Sequence, residues 1–318
     1  MTPPNGSLTV VMYHFVQPRD AGPVRGLAHL DVAAFRAQLA HIRRHYTPVS
    51  GDEVIRAFVE GAPLPPRAAL LTFDDGYRCQ YRDALPLLEA AAVPALFFPA
   101  AASALDRCVL DVNKIQCILA TTPDVGELVA TIEAAIDERR TDVPLPSVAE
   151  LRARCWKKSR WDAEPVVYVK RLLQHALPEP VRRRIVDDLF ETRVSADERA
   201  FADELYMTVD QLRDLTDRGM TVGAHGDRHL RLPTLGEAEQ AREIDGALRV
   251  LDALGTAYPP FAYCYANGEY DDRSIGLLRA RGCAVAFTTR SDVADPAASD
   301  ALALPRLDTN DLPTEANA

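Results

Sequence analysis

The chain has no hydrophobic run long enough to cross a bilayer. Its longest apolar stretches, ALLTF (69–73) and VPALFFPAAASAL (93–105), are too short or too mixed for a span of about 20 residues, so no integral membrane segment is expected. The opening MTPPNGSLTVVMYHF lacks a basic segment followed by an apolar one; no secretory signal is read, and the expected location is the cytoplasm. Positive charge is in short supply. Lys and Arg number 36 against 46 Asp and Glu, a net charge of −10, which speaks against nucleic acid as a general partner. Cysteine is sparse and unpatterned: Cys79, Cys108, Cys117, Cys155, Cys264 and Cys283 show no CxxC spacing and read as free thiols. There are no internal repeats and no low-complexity tract, and nothing in the pattern sets an oligomeric state.

What is present is an ordinary globular composition, 47% apolar and 26% charged, in 318 residues, enough for one large domain or two. The first third alternates strands and helices. LTVVMYHFV reads as a buried strand ending near His14, and DVAAFRAQLAHIRRHY carries Val32, Phe35, Leu39 and Ile42 at helical spacing behind Asp31 as N-cap. RAALLTFDDG is a second strong strand, YRDALPLLEAAAV a helix in spite of Pro86, and PALFFPAA a third strand. From 105 to 204 the pattern is helical and highly charged, with no convincing strand. After 205 the alternation returns, with a strand in MTVGAH, a long helix in GEAEQAREIDGALRVLDALG, and strands in PPFAYCY, CAVAFTT and ALALPRLD. This predicts an α/β fold with mostly parallel strands, built from segments 1–104 and 205–318 and interrupted by an all-helical insertion at 105–204.

Two segments carry chemistry. In LLTFDDGYRC, Asp74 and Asp75 close an apolar strand. Neighbouring carboxylates repel and lose hydration at the edge of a core, so either they form a solvent-facing turn or a positive group meets them. Downstream, GAHGDRHL sets His225 and His229 four residues apart, a chelating spacing on one side of a helical turn. Alone, each segment has a plain reading as a polar turn. Together, both follow apolar strands, and in parallel α/β folds the C-terminal ends of strands converge on one face. One carboxylate and two histidines then make three ligands for a divalent ion, and the second carboxylate stands beside it as a general base.

At this point the residues resemble a known family. TFDDG followed far downstream by H-x-x-x-H is similar to the polysaccharide deacetylases, the NodB-homology or carbohydrate esterase family 4 group, over the outer segments of the chain. The resemblance implies a distorted (β/α) barrel, Asp74 as catalytic base, and Asp75, His225 and His229 as metal ligands. FAYCYANG resembles the family's Arg-x-Pro-Tyr motif and implies a Tyr265 backbone N–H for the oxyanion, although Cys264 stands where proline is usual and Ala262 where arginine is. The arginine that steadies the base has no counterpart in that motif. No histidine follows His229, and VMYHFV resembles the permuted branch that opens on a Tyr-His strand. This implies His14 as general acid; the plain alternative is a partly buried core histidine. Arg306, in ALPRLDTND, resembles a late segment of the same branch. It is read with Tyr77 as a substrate contact, with pairing to an active-site acid or a structural ion pair left open.

The implied reaction is hydrolytic removal of an N-acyl group, N-acetyl in the first instance, from an amino sugar. Zn2+ is the expected ion, and Co2+ or Ni2+ suit the same ligands. The cytoplasmic expectation favours a nucleotide- or lipid-linked sugar, a glycan or an aminosugar intermediate. The alternatives are a deformylase or O-deacetylase on the same fold, or an inactive carbohydrate-binding homologue. Trp156 and Trp161, flanking KKSR, read as packing residues ahead of sugar-stacking ones.

Overall fold

Among the described residues, ten strands carry the β structure: β1 (Leu8–Tyr13), β2 (Val16–Gln17), β3 (Leu30–Asp31), β4 (Thr47–Pro48), β5 (Ala68–Asp75), β6 (Ala95–Pro99), β7 (Thr221–Val222), β8 (Phe261–Cys264), β9 (Cys283–Phe287) and β10 (Leu307–Asp308). They are taken from a computed structural model that describes residues 6–159 and 162–315; Trp161 lies outside the described residues. Every residue of β1, β5 and β6 is buried, as expected of parallel strands covered on both faces.

The strand order β10-β1-β5-β6-β7 is parallel throughout. A separate parallel pair joins β8 to β9. Single parallel bridges, Ala224 to Tyr263 and Phe287 to Leu304, connect the chain after β7 to β8 and β9 to the chain before β10. The ring therefore closes, with full ladders on one side and single bridges on the other. This is the distorted (β/α) barrel that the family resemblance implies.

Alternate residues of each strand face opposite sides. One set, including Val10, Leu70, Leu96, Phe98, Cys264, Val285, Phe287 and Leu304, forms one core cluster. The other, including Val11, Tyr13, Leu71, Phe73 and Phe97, packs with Phe35, Leu39 and Ile42 of the helix Val32–His45 and with Leu212 and Leu215. Asp31 caps that helix, its carboxylate accepting from the Ala33 N–H at 2.8 Å. The helix expected across Pro86 is divided. A π-helical turn, Gln80–Ala84, leads into the α-helix Leu85–Ala90, with Pro86 in its first turn.

Pro23–Leu27 and Val109–Phe201 form a second compact unit, apart from the barrel unit of Met1–Gly22, Ala28–Cys108 and Ala202–Ala318. It contains the helices Asp111–Thr121, Val125–Arg139, Val148–Cys155, Glu164–Arg171 and Glu179–Arg193. Lys114 is buried there and donates to Asp187 at 2.6 Å and Glu198 at 2.9 Å. The Trp156 indole donates to Glu164 at 3.0 Å and its ring lies beneath the Arg152 guanidinium at 5.1 Å, so this tryptophan is a packing residue. Among the described residues, no helix is long and apolar enough to cross a membrane, and all six cysteines are free.

Candidate active site

The strand β5 ends on Asp74 and Asp75, both buried close to His225. They meet different partners. Asp74 is held by Arg306, which donates from Nη1 to Oδ1 and from Nη2 to Oδ2, both at 2.8 Å. The guanidinium is buried and has no further freedom: Nε donates to the Thr288 carbonyl at 2.9 Å, Nη1 to Thr72 Oγ1 at 3.1 Å, and Nη2 to Cys264 Sγ at 3.2 Å. Burial works to raise the Asp74 carboxyl, but the Arg306 charge and hydrogen bonds outweigh it and hold the group down at about 2. All five N–H donors of Arg306, read from the sequence as a substrate contact, are thus spent within the protein, and it reaches Asp74 from the other end of the chain.

Asp75 meets the two histidines. Its Oδ1 lies 3.4 Å from His225 Nε2 and 3.5 Å from His229 Nε2. Two ligands about 2.1 Å from a tetrahedral ion stand about 3.4 Å apart, so the spacing suits one shared divalent cation. Asp75 Oδ1 and His225 Nε2 are buried and have no hydrogen-bond partner, an expensive state for polar atoms unless something else meets them. The outer contacts suit ligands as well. The Tyr77 hydroxyl donates to Asp75 Oδ2 at 2.7 Å, and His225 Nδ1 meets the Cys264 carbonyl at 2.8 Å, which leaves Nε2 as the lone-pair nitrogen. The Tyr77 hydroxyl, expected at the substrate, is thus directed at Asp75. Asp74, His225 and Cys264 form a second close group. It is the poorer donor set, because Asp74 is bound to Arg306 and burial pushes the Cys264 thiol up.

Burial disfavours the protonated form of both imidazoles. At His229 it prevails over the Asp75 charge and lowers the group to about 4, which leaves a neutral ring. At His225 the contacts with Cys264 and Asp75 prevail and raise the group, so a cation there would compete with a proton. Asp75 itself is lowered: its burial is outweighed by the imidazoles of His225 and His229 beside it.

The histidine pair does not sit on a helical turn. Residues 225–230 form a loop with φ of 76° at Gly226 and 60° at His229, and the two rings meet at 79° with centroids 4.8 Å apart. Asp75 is also left-handed, at φ 69°. Two of the three candidate ligands thus occupy a backbone region that costs a non-glycine residue about 1–3 kcal/mol. Gly76 follows at φ 71°, where a Cβ would stand 2.7 Å from Pro99 Cβ; this accounts for the glycine of FDDG.

His14 follows β1 directly, half-exposed, with Nε2 3.9 Å from Asp74 Oδ2. The Tyr265 N–H is not directed into the site. It donates to the Phe287 carbonyl at 3.1 Å as part of the β8–β9 pairing, and the Tyr265 hydroxyl donates to the Leu302 carbonyl at 2.9 Å. The oxyanion donor implied at Tyr265 is thus already spent on the sheet. Gln80 was not legible in the sequence: fully buried, it donates to the carbonyls of Asp74 at 2.6 Å and His14 at 3.1 Å and ties the two strand tips together. A groove lined by Gly6, Ala57, Leu64, Val293 and Pro296 adjoins the N-terminal end of β1 and includes none of these residues.

Comparison with known proteins agrees with this arrangement. The model of the polysaccharide deacetylase family matches residues 61–122 and 181–286, more than half of the chain. The poly-β-1,6-N-acetyl-D-glucosamine N-deacetylase of Escherichia coli K12 is 34% identical over 97 residues, which make up 30% of this chain and only 14% of that protein. Among solved structures, the deacetylase PplD of Streptococcus pyogenes, in complex with acetate, superposes with a TM-score of 0.58 at 15% identity, covering 96% of this chain and 93% of that one. IcaB from Ammonifex degensii gives 0.57 at 18% identity, with 95% and 91% covered. The deacetylase domain of BpsB from Bordetella bronchiseptica gives 0.54 at 16%, with 96% and 97% covered. A closed parallel barrel that brings Asp74, Asp75, His225 and His229 together, and a family match across both halves of that barrel, lead to one conclusion: this chain belongs to the polysaccharide deacetylase family.

Proposed function

We propose that the protein is a metal-dependent hydrolase that removes the N-acetyl group from an amino sugar. The observation that carries this reading is the convergence of Asp75 Oδ1 and His225 Nε2, buried and without hydrogen bonds, with His229 Nε2 beside a second, separately held acid. Asp75, His225 and His229 would hold the ion, Zn2+ before Co2+ or Ni2+. When bound, it supplies acidification of water and polarisation of the acyl oxygen.

The remaining chemistry belongs to the chain. Asp74, fixed in orientation by Arg306, takes a proton from the attacking water. A carboxylate held near 2 is a weak base, so its contribution rests on placement and on a water already made acidic. His14 stands within reach of Asp74 and partly open to solvent, and as imidazolium it protonates the departing amine nitrogen. Water thereby adds to the acyl carbon, the C–N bond breaks, and acetate and a free amine leave. The activity of the E. coli relative supports an N-acetylated glucosamine glycan as the substrate class.

The test is acetate release from N-acetylglucosamine oligomers by metal-stripped and Zn2+-loaded protein, beside a nucleotide-linked N-acetyl sugar. Activity should require the metal and should favour the oligomers. Asp74→Asn should bind Zn2+ as the wild type does and lose about 10²–10⁴-fold in turnover. Full activity in that variant would remove Asp74 as the base, and equal activity with and without metal would remove the whole reading.

A further inference from the structure

His229 is flanked by backbone that a remote carboxylate holds in place. Glu243 lies on the buried face of the helix Glu237–Leu254. Its Oε1 accepts from the Arg228 N–H at 2.9 Å and from the Leu230 N–H at 3.0 Å, one residue to either side of His229. Its main-chain carbonyl accepts from the Asp227 N–H at 3.1 Å. N–H groups of closely spaced residues gathered on one acceptor are the arrangement that a left-handed residue between them makes possible. His229 is that residue, at φ 60°. Gly226 completes the fit: a Cβ there would stand 2.7 Å from Glu243 Oε1.

The clamp is needed because the histidine conformation is unfavourable by itself. Released, His229 would return to a negative φ, and a rotation of that size swings the imidazole far beyond the few tenths of an ångström that a metal ligand tolerates. Burial raises the Glu243 carboxyl to about 7, against the pull of the neighbouring N–H groups. Either protonation state keeps an oxygen able to accept both hydrogen bonds.

We propose that Glu243 is a positioning residue, whose side-chain oxygen locks residues 228–230 so that His229 presents Nε2 beside Asp75. This rests on the metal reading above, because its consequence is cation affinity. The role requires an acceptor oxygen and not a charge, so Glu243→Gln should preserve it and Glu243→Met, similar in size, should not.

The experiment is calorimetric titration of the metal-stripped full chain with Zn2+ alone. Glu243→Met should bind about 10–100-fold more weakly than wild type, and Glu243→Gln close to it. Leu251→Ala, a buried truncation on the same helix, controls for stability; it should lower Tm and leave affinity unchanged. Wild-type affinity in Glu243→Met, or an equal loss in Leu251→Ala, overturns the proposal and leaves the metal reading standing. A wild type that takes up no Zn2+ overturns both. Hydrogen exchange of the metal-free wild type gives a second measure should Glu243→Met not fold. The Arg228 and Leu230 amides should exchange only on global unfolding, and rapid exchange there removes the clamp.

Discussion

The barrel unit and the helical unit both bury charge, and they treat it differently. In the helical unit Lys114 is buried, but it meets two carboxylates that remain half in solvent, and its ammonium lies over the Phe190 ring. In the barrel unit Asp74, Asp75, Arg306 and His225 are all buried at one end of the strands, and only the Asp74–Arg306 pair is complete. Among the described residues, every buried side-chain polar atom without a partner falls in the barrel unit, Asp75 Oδ1, His225 Nε2 and His229 Nδ1 among them. A satisfied buried charge is accounted for by folding alone. An unsatisfied one, held in strained backbone, points to a ligand.

That contrast can be broken by substitution. The largest effect is expected for His225→Ala. It removes one of three proposed ligands, and both Zn2+ uptake, read by metal analysis, and deacetylation should fall, the latter about 10³-fold or more. Next is Arg306→Met, which strands a buried carboxylate. Chemical denaturation should show a loss of about 3–5 kcal/mol. Stability should then depend on pH through Glu243, whose folded group sits at about 7 against an ordinary 4.5. A raised carboxyl favours the folded state below its unfolded value and loses that advantage as pH rises through the folded one. Stability should therefore decline between about 4.5 and 7, by up to about 1.4 kcal/mol per pH unit, and Glu243→Gln should flatten the profile. The smallest effect is expected for Lys114→Met. Its carboxylate partners can turn to water, so the loss should be about 1 kcal/mol or less, with deacetylation unchanged. A loss as large as that of Arg306→Met would erase the distinction between the two units.

The legible part of the site was its composition. Asp74, Asp75, His225 and His229 stand out because they interrupt apolar, strand-forming sequence with groups that chelate or titrate, and each lies beside the strand that delivers it. Arg306 was visible as a residue that could pair with an active-site acid or contact substrate, and the choice was left open, since 232 positions separate it from Asp74. The direction of the Tyr265 N–H depended on the pairing of Cys264 with Phe287. The hydrogen bonds on either side of His229 come from Glu243, on a helix whose pattern announces only its apolar face.

The amino-acid order alone determined the strands, most helices, the α/β class and the kinds of atom available for catalysis, because periodicity, capping and side-chain chemistry act over a few neighbouring residues. Tertiary structure decided which of those atoms meet. Closure of the barrel through single bridges at Ala224 and Phe287 brings the last strand beside the first, and with it the only guanidinium that contacts Asp74 among the described residues. Such contacts follow from the register of strands far apart in the chain, and no local interaction encodes that register.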